Sequence, residues 1–356
     1  MKLGIFFKFL AVLLVFCLTA GILCSCDFGF KRKYTDYSFD YFDTVTTVIG
    51  FAVNKNAFDE ISQRVMDMLD KYHKLFDIYH SYEDINNLYT LNHERGSAEN
   101  PIKVDREVIE LLEFAKDCYT KTDGYVNIAM GSVLSIWHKQ REIAENNPLN
   151  ARLPDDSELA LASLHTDINK VIIDKTNSTV YLADGEMTLD VGAVAKGYAV
   201  EKIAKALEAD GIDGYVLNVG GNVRTIGTMS GGKPWQVGIE NPNKSDSQSN
   251  PYVDTLGLSG EALVTSGSYQ RFYTVNGINY HHIIDKDSLY PALGYLSVSI
   301  VCSDSGVADA LSTALFCADI EQGRAILSRF ENSEALWVLA DGTVKYSDGF
   351  AEYSIK

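Results

Sequence analysis

Asn276-Gly277 lies between two runs rich in β-branched and aromatic residues, "YQRFYTV" (269–275) and "INYHHII" (278–284). An Asn-Gly pair accepts positive φ at both central positions of a two-residue turn, so this stretch predicts a tight hairpin and antiparallel pairing. Strand signals at 171–174 and 179–182 are joined by polar turn residues, and a last hairpin turns at Asp341-Gly342. Further strands are expected at 40–50, 187–190, 214–219 and 296–302, and one within 231–253 before a polar loop. Helices are predicted by apolar spacing over 57–79, 131–139, 194–208, 306–318 and 321–330. Another begins at the capping residue Asp105 and ends at Asp123-Gly124. Helices and strands intersperse, but the hairpins argue for an α+β fold with a mixed, largely antiparallel sheet, not a doubly wound one. No repeat or linker splits the chain, so residues 40–350 read as a single domain.

The amino-terminus reads as a targeting segment. Lys2 and Lys8 give a basic start, and Phe9 to Leu23 is an apolar run of 15 residues, short for a membrane span and right for a signal core. It ends "LCSC" (23–26), which resembles the bacterial lipoprotein box, with Cys26 as the lipidated residue. An uncleaved anchor is the competing reading. The expected organisation is a signal peptide over 1–25 and a lipidated tether over 26–39, with the protein held at the cell membrane outside the cytoplasm. Cys118, Cys302 and Cys317 remain in apolar or helical settings and read as core residues.

The formal charge is −17, and residues 1–25 carry two lysines and no acid, so the remainder is more acidic still. Such a surface repels nucleic acid and anionic membranes. It also repels phosphate-bearing small molecules unless a local cation, such as a metal ion, intervenes.

No phosphate-binding loop and no dinucleotide fingerprint is present. "NVGGNV" (218–223) is a glycine pair after a strand, as consistent with a tight turn as with ligand approach. "HHIIDK" (281–286) puts His282 and Asp285 three apart where a strand runs into a turn, suited to a base and its orienting acid. A satisfied polar edge explains the same spacing. "SDSGVADALSTALF" (303–316) places Asp309 and Thr313 four apart, on one face of a helix. Both are hard oxygen ligands of the kind Mg²⁺ takes; ordinary helix-start acidity is the alternative. A serine hydrolase built on Ser266, His282 and Asp285 lacks the nucleophile-elbow pattern.

Together "DVGAVAKGYAVEKIA" (190–204), "VLNVGGNV", "LVTSGSYQRFY", "HHIIDK…YP" and "ADALSTAL", with "FDT" (42–44) and "TDGYVN" (122–127) upstream, resemble the ApbE family of FAD:protein FMN transferases. The resemblance covers about residues 40–340. It implies Mg²⁺-dependent transfer of the FMN half of FAD onto a Thr or Ser of an exported protein, with AMP released. It implies FAD contacts at Phe42, Tyr79, Tyr125, Val126, Asn127, Asp190, Lys196 and Ile284, and a metal held by Asp309, Thr313 and the Ala193 carbonyl. His282 would be the base. The family's acceptor motif, Ser-Gly-Ala-Thr or close variants, is absent from this sequence, so the acceptor is another chain. With water as acceptor the same site would be an FAD pyrophosphatase; without turnover the protein would be a lipid-anchored flavin-binding protein. Departures from the family pattern are Lys286 for proline, Ser288-Leu289 for Thr-Gly, Asn127 for Asp and Gln270 for Glu. The first two imply a less rigid turn after Asp285.

Overall fold

The computed structural model describes residues 31–243 and 250–355. The signal peptide, Cys26 and the start of the tether lie outside the described residues.

The main sheet has eight strands: β1 (Arg32–Tyr41), β2 (Thr44–Ala52), β3 (Tyr215–Val219), β4 (Asn222–Ile226), β5 (Ala262–Gly267), β6 (Tyr295–Cys302), β7 (Ser333–Leu339) and β8 (Val344–Tyr346). Their spatial order is their chain order, and every neighbouring pair is antiparallel. The sheet is thus a meander from which helices and hairpins are spun out.

The expected strand at 40–50 is a hairpin. Phe42 and Asp43 both have positive φ, 53° and 50°, the requirement of a two-residue turn that matches strand twist. Residues 32–39, read as tether, form most of the edge strand of the sheet. The expected strand at 187–190 does not form. Buried Asn92 offers its side-chain amide instead: Oδ1 accepts from the Leu189 N–H at 2.6 Å and Nδ2 donates to the Leu189 carbonyl at 2.9 Å. One side chain thereby replaces a β partner, and Asp190 emerges from a loop.

Eight α-helices occur among the described residues: α1 (Lys55–Phe76), α2 (Leu88–Glu94), α3 (Arg106–Lys121), α4 (Gly131–Asn146), α5 (Asp156–Ser163), α6 (Ala195–Ala209), α7 (Ser305–Cys317) and α8 (Ile320–Leu327). Side-chain caps start several: Asn54 for α1, Asp105 for α3, Asp304 for α7 and Asp319 for α8. Helices α1, α6 and α7 cover one face of the sheet in the main core, with Val264, Ile300 and Trp337 pointing toward them. The alternate residues Leu263, Val301, Leu336 and Val338 point the other way. They form a second core with the hairpin of Trp235–Glu240 and Tyr252–Leu258.

Helices α6 and α7 meet without space for a methyl group. A Cβ on Gly197 would lie 2.3 Å from the Ser305 carbonyl oxygen and 2.5 Å from the Asp309 Cβ. A buried ion pair fixes the same junction. Arg224 of β4 meets Glu201 of α6 at 2.9 Å, and Glu201 also accepts the first N–H of α7, from Ser305, at 2.7 Å.

Candidate active site

Three excursions from the sheet converge on one cleft: the turn 190–196 entering α6, helix α7, and the segment 269–291 between β5 and β6. A cavity of about 270 Å³ is lined by Tyr79, Tyr125, Asn127, Asp190, Ala193, Lys196, His282, Ile284, Asp309 and Thr313, among others. A second cavity of about 310 Å³ holds Phe42 and shares Tyr79, Asp190, Gly192, Lys196 and Arg271 with the first. Val126 is buried behind this lining, its N–H donated to the Thr122 hydroxyl.

On the helical wall, the Asp309 carboxylate accepts the Gly197 N–H at 2.8 Å and faces Lys196 Nζ at 3.8 Å. Lys196, placed among small residues, meets Asp309. Burial nonetheless pushes the Asp309 pKa up, against the pull of Lys196 and the Gly197 amide. Burial thus disfavours its ionised form more than Lys196 and the Gly197 amide favour it, and a cation beside it would reverse that balance. Thr313 lines the same cavity one turn on, and its hydroxyl has no hydrogen-bond partner among the described residues. Ala193 belongs to the bare turn that opens α6. No three His, Cys, Asp or Glu side chains cluster for a metal among the described residues. A set of one carboxylate, one hydroxyl and one main-chain carbonyl is of another kind, and its oxygens suit Mg²⁺. Asp190 accepts the Gly192 N–H at 2.8 Å, and burial raises its pKa as well.

On the opposite wall the two adjacent histidines divide their work. His281 is buried: its Nε2–H donates to the Ala292 carbonyl at 2.9 Å and its Nδ1 accepts from Ile283 at 3.2 Å. His282 turns into the cleft. Its Nδ1 lies 3.2 Å from the Arg271 carbonyl, which can only accept, so Nδ1 carries the proton and Nε2 is left with its lone pair. The cleft walls crowd the ring, and their desolvation pushes its pKa down to about 3, while the side chain still reaches solvent at the cleft mouth.

Asp285 does not orient His282. Its carboxylate accepts the N–H groups of Ser288, at 2.7 Å, and Asp287, at 3.3 Å, and so caps the following turn. The orienting group is the Arg271 carbonyl. A Ser266–His282–Asp285 triad is likewise not assembled, because the Ser266 hydroxyl pairs with that of Ser312 at 2.8 Å. Leu289, a departure from the pattern the resemblance implies, has φ of +60°. The turn is held in spite of this: the Leu289 N–H reaches the Asp285 carbonyl at 2.9 Å, and Trp137 Nε1 donates to the Leu289 carbonyl at 2.8 Å. Lys286, in place of proline, lies 5.0 Å from the centre of the Tyr125 ring. The Asn127 side chain caps the short helix 128–130 and donates to the Thr166 carbonyl at 2.9 Å.

The sequence reading missed Arg141 and Arg271, both in the lining. The Tyr79 ring stacks on His138 at 5.2 Å, and His138 Nδ1 faces Arg141 at 2.8 Å. The expected helix stopped at residue 139, short of Arg141; in the longer observed helix the three-residue spacing puts His138 and Arg141 side by side, but no local signal pointed that face at the cleft.

Residues 37–337 match the ApbE family. An FAD:protein FMN transferase of Treponema pallidum is 34% identical over 74% of this chain and 74% of its own length. One from Klebsiella pneumoniae is 29% identical over 79% of this chain and 82% of its own. The crystal structure of an ApbE protein from Thermotoga maritima superposes with a TM-score of 0.78 at 28% identity, covering 91% of this chain and 100% of that one.

Proposed function

The chain belongs to the ApbE family, and we propose that it is an FAD:protein FMN transferase that moves the FMN half of FAD onto a Thr or Ser hydroxyl of another protein and releases AMP. The observation that carries this reading is the convergence, in one cleft, of Lys196, Asp309, Thr313 and a neutral, oriented His282 from three distant parts of the chain. Phosphoryl transfer needs positive charge at the phosphates and a base at the attacking hydroxyl, and these residues supply both.

In this mechanism the acceptor hydroxyl approaches Nε2 of His282, which takes its proton. The Arg271 carbonyl keeps the ring in the tautomer that can do so. Lys196 and the small residues of the 190–197 turn admit the pyrophosphate to the helical wall. Asp309, Thr313 and the Ala193 carbonyl would hold Mg²⁺, whose contribution is to neutralise phosphate charge and stabilise the charge that develops on transfer. Phe42, Tyr79, Tyr125, Asn127, Asp190 and Ile284 surround the remainder of FAD, and Val126 supports them from behind.

Because His282 is open to the cleft, water can replace the hydroxyl, and the second reading is FAD hydrolysis to FMN and AMP. We further propose an exported acceptor with a Ser-Gly-Ala-Thr-like motif, and attachment of the enzyme to the outer face of the cell membrane through lipid on Cys26. The test incubates the protein with FAD, Mg²⁺ and candidate acceptors and weighs each acceptor. A flavin mass on the acceptor with matching AMP supports transfer. AMP and FMN with an unchanged acceptor replace it by hydrolysis, and labelling from FMN alone overturns both.

A further inference from the structure

The cleft of this acidic protein is faced by three cations, and their engagements differ. Lys196 is matched to Asp309 at 3.8 Å. Arg141 is held by His138 Nδ1 at 2.8 Å and Glu145 at 3.6 Å. The Arg271 guanidinium donates to the Asp43 carbonyl at 3.2 Å and meets no carboxylate among the described residues. It lines both cavities. Unpaired positive charge at the junction of two cavities is available to an anion that spans them.

The register of the Asn276-Gly277 hairpin fixes where that charge stands. Phe272 pairs with His281, and beyond this pair the His282 N–H reaches the Arg271 carbonyl at 3.2 Å. Arg271 and His282 are therefore opposite each other across the hairpin. Directly opposed residues project from the same face with Cβ atoms about 4.5–5.5 Å apart. The base and the unpaired guanidinium are thus adjacent and enter the cleft together.

We propose that Arg271 binds the phosphate of the transferred FMN half and so places the attacked phosphorus beside the acceptor hydroxyl held by His282. This rests on the transferase reading above. In the step, the acceptor O–H proton passes to His282 Nε2 while the acceptor oxygen bonds to the FMN phosphorus. The bond from that phosphorus to the bridging oxygen breaks, and its electron pair leaves with AMP. Guanidinium suits this place because its paired N–H groups match two phosphate oxygens, which an ammonium cannot do.

The test compares Arg271→Ala and Arg271→Lys with the full wild-type chain by equilibrium binding of FAD, FMN, riboflavin and AMP in Mg²⁺ buffer. Arg271→Ala is expected to weaken FMN and FAD by about tenfold or more and to leave riboflavin and AMP unchanged; Arg271→Lys should fall between. Equal losses for riboflavin and FMN, loss of AMP instead of FMN, or no loss at all would each overturn the assignment. Transfer onto an acceptor is scored separately. If wild type binds these ligands but neither transfers nor splits FAD, the functional reading fails while the binding comparison still decides the role of Arg271.

Discussion

On the helical wall of the cleft, Gly197 and Asp309 are in contact so close that a single methyl group has no room, and Glu201 and Arg224 lock the junction from beneath. On the opposite wall, His282 and Arg271 stand at the end of a two-stranded hairpin paired with no other strand of the described residues, followed by a turn that keeps a leucine in the left-handed region. The first wall carries a carboxylate whose pKa burial has raised; the second carries an imidazole whose pKa burial has lowered. Each shift favours the neutral form, but the consequences are opposite. A buried carboxylate awaits a cation, whereas a neutral imidazole is already a base. The comparison assigns the metal and the pyrophosphate charge to the rigid wall, and proton transfer with the hold on the FMN phosphate to the hairpin wall.

The sharpest break is to remove one group from each wall. Asp309→Ala is expected to abolish Mg²⁺-dependent transfer and to weaken FAD binding in Mg²⁺ buffer, with Thr313→Val a milder version. His282→Ala is expected to lower the single-turnover rate by about 10²–10⁴-fold while FAD affinity is retained. Titrating FAD and Mg²⁺ against both variants checks the division. If His282→Ala loses FAD affinity and Asp309→Ala keeps it, the roles of the two walls are exchanged.

Next in size is Gly197→Ala. Its methyl must displace Ser305 or Asp309, and overpacking of this kind costs about 1–3 kcal/mol. Thermal unfolding should show the loss. Mg²⁺-dependent FAD affinity should fall with it, because Asp309 is one of the two residues in the way of the methyl. Unchanged stability and affinity would mean that the helices slide apart freely and that the wall is not rigid.

The pH dependence sharpens the other wall. A base is active when unprotonated, so a His282 pKa near 3 leaves it competent across the neutral range, with activity lost only as pH falls toward that value. The single-turnover rate should show no acid limb centred near 6.5, the ordinary value for histidine. An acid limb at that position would show the ring to be hydrated like a surface imidazole.

Much of this was legible from local chemistry. Asn276-Gly277 announced the hairpin, Asp105 the start of α3, and the four-residue spacing of Asp309 and Thr313 their common face. What escaped was set by partners distant in sequence. Leu189 looked like strand because its composition is strand-like, yet Asn92, far upstream, supplies the hydrogen bonds a strand partner would. Helix α5 buries only Leu159 and so presents no apolar stripe to read. Spacing alone makes Asp285 an orienting acid, but its nearest donors are the amides of its own turn. Arg271 lies within the quoted "LVTSGSYQRFY", but nothing in that stretch gave it a role; only the register of the hairpin brings it opposite His282.

The smallest expected effect tests the strain in the hairpin wall. Leu289 occupies φ of +60°, a region that disfavours residues with a Cβ by about 1–2 kcal/mol relative to glycine. The turn persists because Asp285 caps it and Trp137 binds the Leu289 carbonyl. Leu289→Gly relieves the backbone but frees the unfolded chain, which offsets part of the gain, and it removes the half-buried leucine side chain from the Trp137 cluster. The net change should therefore be a stabilisation of under about 1 kcal/mol, with FAD affinity untouched because Leu289 lines neither cavity. Thermal unfolding beside FAD titration measures both. A loss of stability would mean that packing of Leu289 outweighs its strain. A loss of FAD affinity would show that this turn holds the donor contacts of its own wall, Ile284 and Arg271, in place, and that its strain serves binding.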